Sequence, residues 1–189
     1  MTSAVSIAIA LGASGSLPAV AQELEEVVVT ATKRQQSVQD VPLAITAMTG
    51  DFIENANITN VKDLVAFAPG VTGNTQDSFI DNIAVRGIRT QDFGLGLDPS
   101  AAFFKNDLYE GRNGAAVSTL YDIDRAEVLR GPQGFLFGRN SIAGAFSIHT
   151  RRAELGSNDG YVIAEAGERD IYGAEGAVNL PVSDLSLIH

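Results

Sequence analysis

Hydrophobic and polar residues alternate with two different periods along the chain, and the change of period predicts its organisation. Apolar runs between turn residues predict, in chain order, a strand at 43–48, a helix at 49–56, a second helix capped by Asn60, a strand at 82–88, a hairpin at 101–109, and strands at 125–130 and 145–150. Long polar loops separate several of these elements. This pattern predicts an α+β domain with a small mixed sheet, short helices and long loops.

The pattern changes after Arg152. Residues 160–167 and 171–179 alternate regularly, with small residues on one face, and a third such run begins at Leu185. Alternating antiparallel segments of this kind are typical of transmembrane barrel strands, although a soluble β-meander would give a similar pattern. Because the chain stops inside the third run, we expect it to be a fragment that ends early in a β-barrel.

The N-terminus has the order of a secretory signal peptide. An apolar run at residues 4–13 is followed by the small residues 19–21, so cleavage is expected after Ala21. No basic residue precedes Lys33, which departs from the usual positively charged start. The alternative is a buried core helix at the terminus.

A valine-rich segment follows the expected cleavage site. Val27, Val28, Val29 and Thr30 favour extended backbone, and a polar stretch from Gln35 to Asp40 resembles a tether. An exposed strand on a tether is a hazard unless it pairs with a partner. The alternative is an edge strand of the chain's own sheet.

Composition excludes several classes of function. With 45% hydrophobic residues among 189, the chain can bury a core, and its net charge of -10 argues against a nucleic-acid partner. It has no cysteine and only two histidines, His149 and His189. His149 lies between apolar and polar residues of a predicted strand, so a structural role is expected. No catalytic triad, metal-binding pattern or cofactor motif is present, and we predict a protein that is not an enzyme and uses no metal or cofactor.

A glycine-rich stretch, EVLRGPQGFLFGRNSIAGAF at residues 127–146, invites a phosphate-binding interpretation. It matches neither the Walker loop nor the dinucleotide fingerprint, because Gly131 and Gly138 are seven positions apart and Arg139 follows where a lysine is needed.

The same stretch resembles the signature of the plug domain of TonB-dependent outer-membrane receptors. Other motifs occur in that family's order: EVVVTAT at 26–32, similar to a TonB box, DVP at 40–42, APGV at 68–71 and VRGI at 85–88. NDLY at 106–109 stands where the family has Asp-Gly-Val-Tyr, and Phe135 replaces a residue that is commonly small and polar.

The resemblance implies a domain organisation. Residues 1–21 would be the signal peptide, 22–39 the TonB box and tether, 40–152 the plug domain, and 153–189 the incomplete start of the β-barrel. It implies an outer-membrane active transporter of a Gram-negative bacterium, with TonB of the inner-membrane complex, the outer membrane and a ferric siderophore or similar bulky nutrient as partners. The alternative is a soluble periplasmic binding or adhesion module of α+β fold.

The resemblance also implies site residues. TonB would bind Glu26, Val27, Val28, Val29, Thr30 and Ala31. Substrate contacts would come from the loop residues Asn74, Gln76, Asp77, Arg89, Gln91, Phe93, Tyr109 and Arg112. Arg86, Arg130 and Arg139 would lock the plug in place, with Glu127 as a candidate ion-pair partner.

Overall fold

The structure is a computed structural model that describes residues 27–73, 83–90, 98–111, 118–154, 156–167, 171–183 and 186–188. Its strands are β1 (Val28–Val29), β2 (Gln36–Ser37), β3 (Ile45–Thr49), β4 (Val71–Thr72), β5 (Ala84–Val85), β6 (Ala101–Lys105), β7 (Leu108–Glu110), β8 (Ile123–Arg130), β9 (Gly144–Thr150), β10 (Gly160–Gly167), β11 (Ile171–Val178), β12 (Leu180–Ser183) and β13 (Ser186–Ile188). The helices are α1 (Gly50–Asn55), a 3-10 helix (Val61–Phe67) and α2 (Gly134–Phe137).

A five-stranded mixed sheet forms the centre of the domain. Its strand order is β3-β8-β9-β6-β7, with β6 and β9 parallel and the other neighbours antiparallel. β8 and β9 are the long inner strands, and both are rich in buried residues because chain covers each face of the sheet. The predicted mixed sheet with short helices is therefore confirmed.

The first face of the sheet is covered by α1, the 3-10 helix, β4 and β5. Thr49, predicted as the first helical residue, is instead the cap of α1 and accepts a hydrogen bond from the backbone N–H of Phe52. The segment after Asn60 forms a 3-10 helix whose Val61 and Leu64 point into the core. These elements enclose an apolar cluster that includes Val128, Phe103 and Phe146, the last two with stacked rings.

The second face of the sheet is covered by residues 27–43. Here β1 pairs with β2 as a separate two-stranded antiparallel ribbon, and the segment then continues to β3. A second apolar cluster lies beneath it and includes Val29, Ala31, Phe104, Leu129 and Phe137. The N-terminal segment is thus one layer of the folded domain.

Three hairpins complete the described chain. β6 and β7 turn at Asn106 and Asp107, whose φ angles of 50° and 67° suit a tight hairpin turn, at the position predicted from the sequence. β10 pairs with β11, and β12 with β13, each as an antiparallel ribbon. Within the described residues, none of the helices is long and apolar enough to cross a membrane.

Candidate functional site

Thr30, in the segment that resembles a TonB box, is bound to the sheet by a polar cluster. Its backbone N–H donates to Oε1 of Glu127 at 2.8 Å, and its hydroxyl lies 3.3 Å from the same oxygen. The Nη2 group of Arg125 donates to the Thr30 hydroxyl at 3.0 Å. Both the main chain and the side chain of Thr30 are therefore held by residues almost a hundred positions away.

The centre of this cluster is an ion pair between Arg125 and Glu127. Nε of Arg125 lies 2.9 Å from Oε1 of Glu127, whose side chain is 0% exposed. A buried carboxylate needs such a partner, because the cost of removing an unpaired charge from water is high. The second oxygen of Glu127, Oε2, has no hydrogen-bond partner among the described residues.

His149 closes the cluster on the side of β9. Its Nε2 lies 3.0 Å from the hydroxyl of Ser147, 3.2 Å from that of Thr30 and 3.9 Å from Oε1 of Glu127. Burial lowers the pKa of His149, and the nearby positive charge of Arg125 lowers it further. The lowered pKa favours the neutral imidazole, whose Nε2 accepts a hydrogen bond from a hydroxyl in one tautomer and donates one in the other.

The strands bring these four side chains together through simple alternation. In the ladder between β8 and β9, Arg125 stands opposite His149 and Glu127 opposite Ser147. Residues two apart on a strand share a face, so all four side chains point towards the N-terminal segment.

Apolar contacts complete the seat of the segment. Val29 and Ala31 are both 0% exposed and pack in the second cluster with Leu129 and Ala145. The side chain of Val28, by contrast, is 44% exposed. The docked segment therefore presents one apolar side to the sheet and another to its surroundings.

Lys33 forms a second attachment point. Its ammonium group lies 2.8 Å from Oδ1 of Asp107 and sits over the rings of Phe137 and Phe104, at 4.7 and 5.5 Å from their centroids. The hydrogen bond from Lys33 lowers the pKa of Asp107. Both charged groups are largely exposed, so this contact is weaker than the buried cluster.

The expectation of an exposed strand on a tether is wrong for residues 27–31. β1 is instead paired within the chain, as the alternative expected, although its partner is β2 in a two-stranded ribbon and not a strand of the central sheet. The segment pairs with Gln36 and Ser37 and buries Val29 and Ala31, because the sheet beneath offers both an apolar seat and hydrogen-bond partners. Glu26 lies outside the described residues.

The predicted partnership of Glu127 with the three arginines is also corrected. Glu127 pairs with Arg125, because residues three apart on β8 point to opposite faces and so separate Glu127 from Arg130. Arg130 instead donates to the carbonyl of Pro69 at 2.8 Å, and its Nε is buried without a partner among the described residues.

Arg86 and Arg139 are both exposed. Arg86 has a φ of 52°, and its guanidinium lies close over Gly131, where an added Cβ would come within 3.2 Å of Nη1. The structure therefore places Arg86 next to the turn that follows Arg130.

Two of the predicted substrate residues can be located. Tyr109 lies on β7, where its hydroxyl accepts a hydrogen bond from Asn140 at 2.6 Å and its ring contacts Phe104. Arg89 is exposed just after the turn that ends β5. Six others lie outside the described residues: Asn74, Gln76, Asp77, Gln91, Phe93 and Arg112.

Sequence reasoning missed Arg125, Ser147 and Lys33 and gave His149 only a structural role. A signal was present: Arg125 with Glu127, and Ser147 with His149, are polar residues two apart that alternate with apolar residues in predicted strands. Such pairs place polar groups on a buried face, where they need partners. Nothing in the sequence indicated that the partner would be Thr30.

Comparisons with known proteins agree with the sequence motifs. The family model described as TonB-dependent Receptor Plug Domain matches residues 37–145. The ferripyoverdine receptor of Pseudomonas aeruginosa is 28% identical over 157 residues, which cover 83% of this chain and 19% of the receptor. An iron-regulated outer membrane virulence protein of Vibrio cholerae is 31% identical over 162 residues, with 79% of this chain and 24% of that protein covered.

Solved structures show the same fold. The ferripyoverdine receptor of Pseudomonas aeruginosa bound to ferripyoverdine matches with a TM-score of 0.67 at 22% identity, over 84% of this chain and 20% of that one. The ferric yersiniabactin uptake receptor of Yersinia pestis gives a TM-score of 0.62 at 22% identity, over 75% of this chain and 22% of that one. The chain thus spans about a fifth to a quarter of the length of these proteins.

Proposed function

This chain belongs to the family of TonB-dependent receptor plug domains, and from that premise we propose that it is the plug region of an outer-membrane active transporter. The match of the family model to residues 37–145 carries the proposal. Its relatives are named as receptors and transporters, which favours this function over a soluble binding or adhesion module and over an enzyme.

We propose that residues 1–21 are the signal peptide, 22–39 the TonB box and its connection, and 40–152 the plug. Residues 153–189 would begin the barrel. The alternating ribbon of β10 and β11, whose Val162 and Tyr172 are exposed, suits strands that face lipid.

The proposed substrate is a ferric siderophore or a similarly bulky nutrient. Relatives are named for ferripyoverdine, ferrichrome and vitamin B12, which are all large ligands. Contacts from the plug would come from the loop residues given above, including Arg89 and Tyr109. Arg86, Arg130 and Arg139 would hold the plug within the barrel, and the unpartnered Nε of Arg130 supports such a role.

The proposed partner for residues 26–31 is TonB, which would bind by adding a strand of its own to this segment. Main-chain hydrogen bonds would then supply much of the affinity. Uptake would draw its energy from the inner membrane, so the plug needs no hydrolytic site.

A proline substitution in this segment tests the proposal. In the complete receptor, Val28→Pro should abolish energised uptake, since proline removes a ladder donor and fixes φ, whereas Val28→Ala should reduce uptake only mildly. Surface binding of the ferric chelate should persist in both variants. Normal uptake by the proline variant would rule out strand addition, and loss of both activities in that variant would indicate misfolding.

A further inference from the structure

We infer that Thr30 latches residues 27–31 onto the plug's own sheet, so that the sheet and TonB compete for the same segment. The role of TonB in this competition rests on the proposed function. The latch itself rests on the contacts of Thr30 with Glu127, Arg125 and His149.

The backbone of the segment shows why docking and strand addition exclude each other. The carbonyl of Val27 accepts a hydrogen bond from the N–H of Val38, so this edge of β1 is occupied by the ribbon. Alternation along a strand then places the N–H groups of Val28 and Thr30 on the opposite edge. The N–H of Thr30 is already bound to Glu127, so an added strand can pair beyond Val28 only after that bond breaks.

The polar cluster that binds Thr30 does not need Thr30 in order to form. The ion pair of Arg125 with Glu127 and the contact of Ser147 with His149 both lie within the sheet. They can therefore persist when the segment leaves, and no charge is then stranded. Departure would also admit water to the unpartnered Oε2 of Glu127, which lowers the cost of opening.

Few apolar side chains hold residues 27–31 on the sheet, so the segment can leave it. Within the segment, Val29 and Ala31 supply the fully buried side chains. Thr30 therefore decides how tightly the segment docks, and it acts as a positioning residue for the proposed coupling segment.

A cysteine reporter measures docking without any partner. The chain has no cysteine, so a single Ala31→Cys variant carries one thiol at a position that is 0% exposed when docked. A matched Ala126→Cys variant carries its thiol on the first face of the sheet, also at 0% exposure. A bulky maleimide then reports undocking with the first variant and global unfolding with the second, both in the full chain.

Adding Thr30→Val to these backgrounds removes the hydroxyl while keeping the shape. We expect labelling at position 31 to rise roughly tenfold to a hundredfold, the range for losing a hydrogen bond with a charged group, and labelling at position 126 to stay unchanged. Thr30→Ser, which keeps the hydroxyl, should restore slow labelling. An unchanged rate at position 31 would overturn the latch, as would a parallel rise at both positions.

A second arm separates the latch from the proposed function. Synthetic peptides of residues 22–36, native and with Thr30→Val, are titrated against the periplasmic domain of TonB. Equal binding by both peptides, together with fast labelling of the variant chain, supports competition for one segment. If neither peptide binds TonB while the labelling behaves as expected, the proposed partner is wrong and the latch stands. If the Thr30→Val peptide alone fails to bind, TonB itself recognises the Thr30 hydroxyl. The proposal that this hydroxyl serves only docking on the sheet is then overturned.

Discussion

The two faces of the five-stranded sheet are closed in different ways. Phe103, Val128 and Phe146 on the first face meet helices and strands of the same domain, and most of this interface is apolar. The second face is apolar around Leu129 but polar around Glu127, and a terminal segment covers it.

This difference separates stability from exchange. Apolar burial is non-directional and is lost whenever the face opens, so the first face mainly stabilises the fold. Hydrogen bonds to a buried ion pair are directional, and water or another chain can replace them. The first face therefore stabilises the fold of the domain, whereas the polar cluster of the second face determines which segment docks on it.

The largest effect is expected on the first face. Phe146→Ala should lower the free energy of unfolding by about 3–5 kcal/mol, because it removes a fully buried ring that stacks on the ring of Phe103. Urea titration measures the loss. Labelling should rise at both reporter positions, 31 and 126. A rise at position 31 alone would contradict the assignment of this face to the global fold.

A smaller and more local effect is expected at the ion pair. Glu127→Ala should destabilise the docking of residues 27–31 by about 2–3 kcal/mol, since Arg125 and the N–H of Thr30 both lose their acceptor. Labelling at position 31 should therefore rise far more than at position 126. Glu127→Gln keeps an acceptor for Thr30 and should recover part of the loss. Equal labelling of the two positions in the alanine variant would show that the two faces open together as one cooperative unit.

Much of the first face could be predicted from the sequence. The strand periods, the helix start at Asn60 and the turn at Asn106 all depend on local chemistry, which a single sequence reveals. The resemblance then predicted how these elements belong together, and the family match confirmed it.

The second face could not be predicted in the same way. Thr30 and Glu127 are 97 positions apart, and no local rule joins them. Alternation on β8 did contain the information that Arg125, rather than Arg130, shares a face with Glu127. The docking of a charged, valine-rich segment depends on what lies opposite it, which only the assembled sheet determines.

Docking of the segment should weaken at low pH. Burial, and then Arg125, lower the pKa of His149 from its ordinary 6.5, while Glu127, Asp107 and Asp124 act in the opposite direction. The stability that depends on neutral His149 is thus fully present above pH 6.5 and is lost as the pH falls through the lowered value.

The measurement is labelling at position 31 as a function of pH, divided at each pH by the rate for the urea-denatured chain. The ratio should rise by a few-fold between about pH 7 and pH 5, the range in which histidine titrates. His149→Gln retains hydrogen bonding to Thr30 and Ser147 without titrating, so it should flatten the curve. An equally steep curve in that variant would assign the effect to another group.

The smallest effect is expected at the exposed attachment of Lys33. Lys33→Gln should raise labelling at position 31 by about fivefold, because the exposed ion pair and the exposed cation–π contact contribute about 0.5 kcal/mol each, or about 1 kcal/mol together. Asp107→Asn removes only the ion pair and suits the left-handed turn, where the φ of Asp107 is 67°. Added salt should weaken the native attachment and leave the Asp107→Asn variant almost unchanged, since salt screens exposed charges.

If Lys33→Gln released the segment more than Thr30→Val, the exposed attachment would dominate and the buried cluster would be secondary. The ranking of these two variants therefore tests directly whether the polar part of the second face sets the strength of docking.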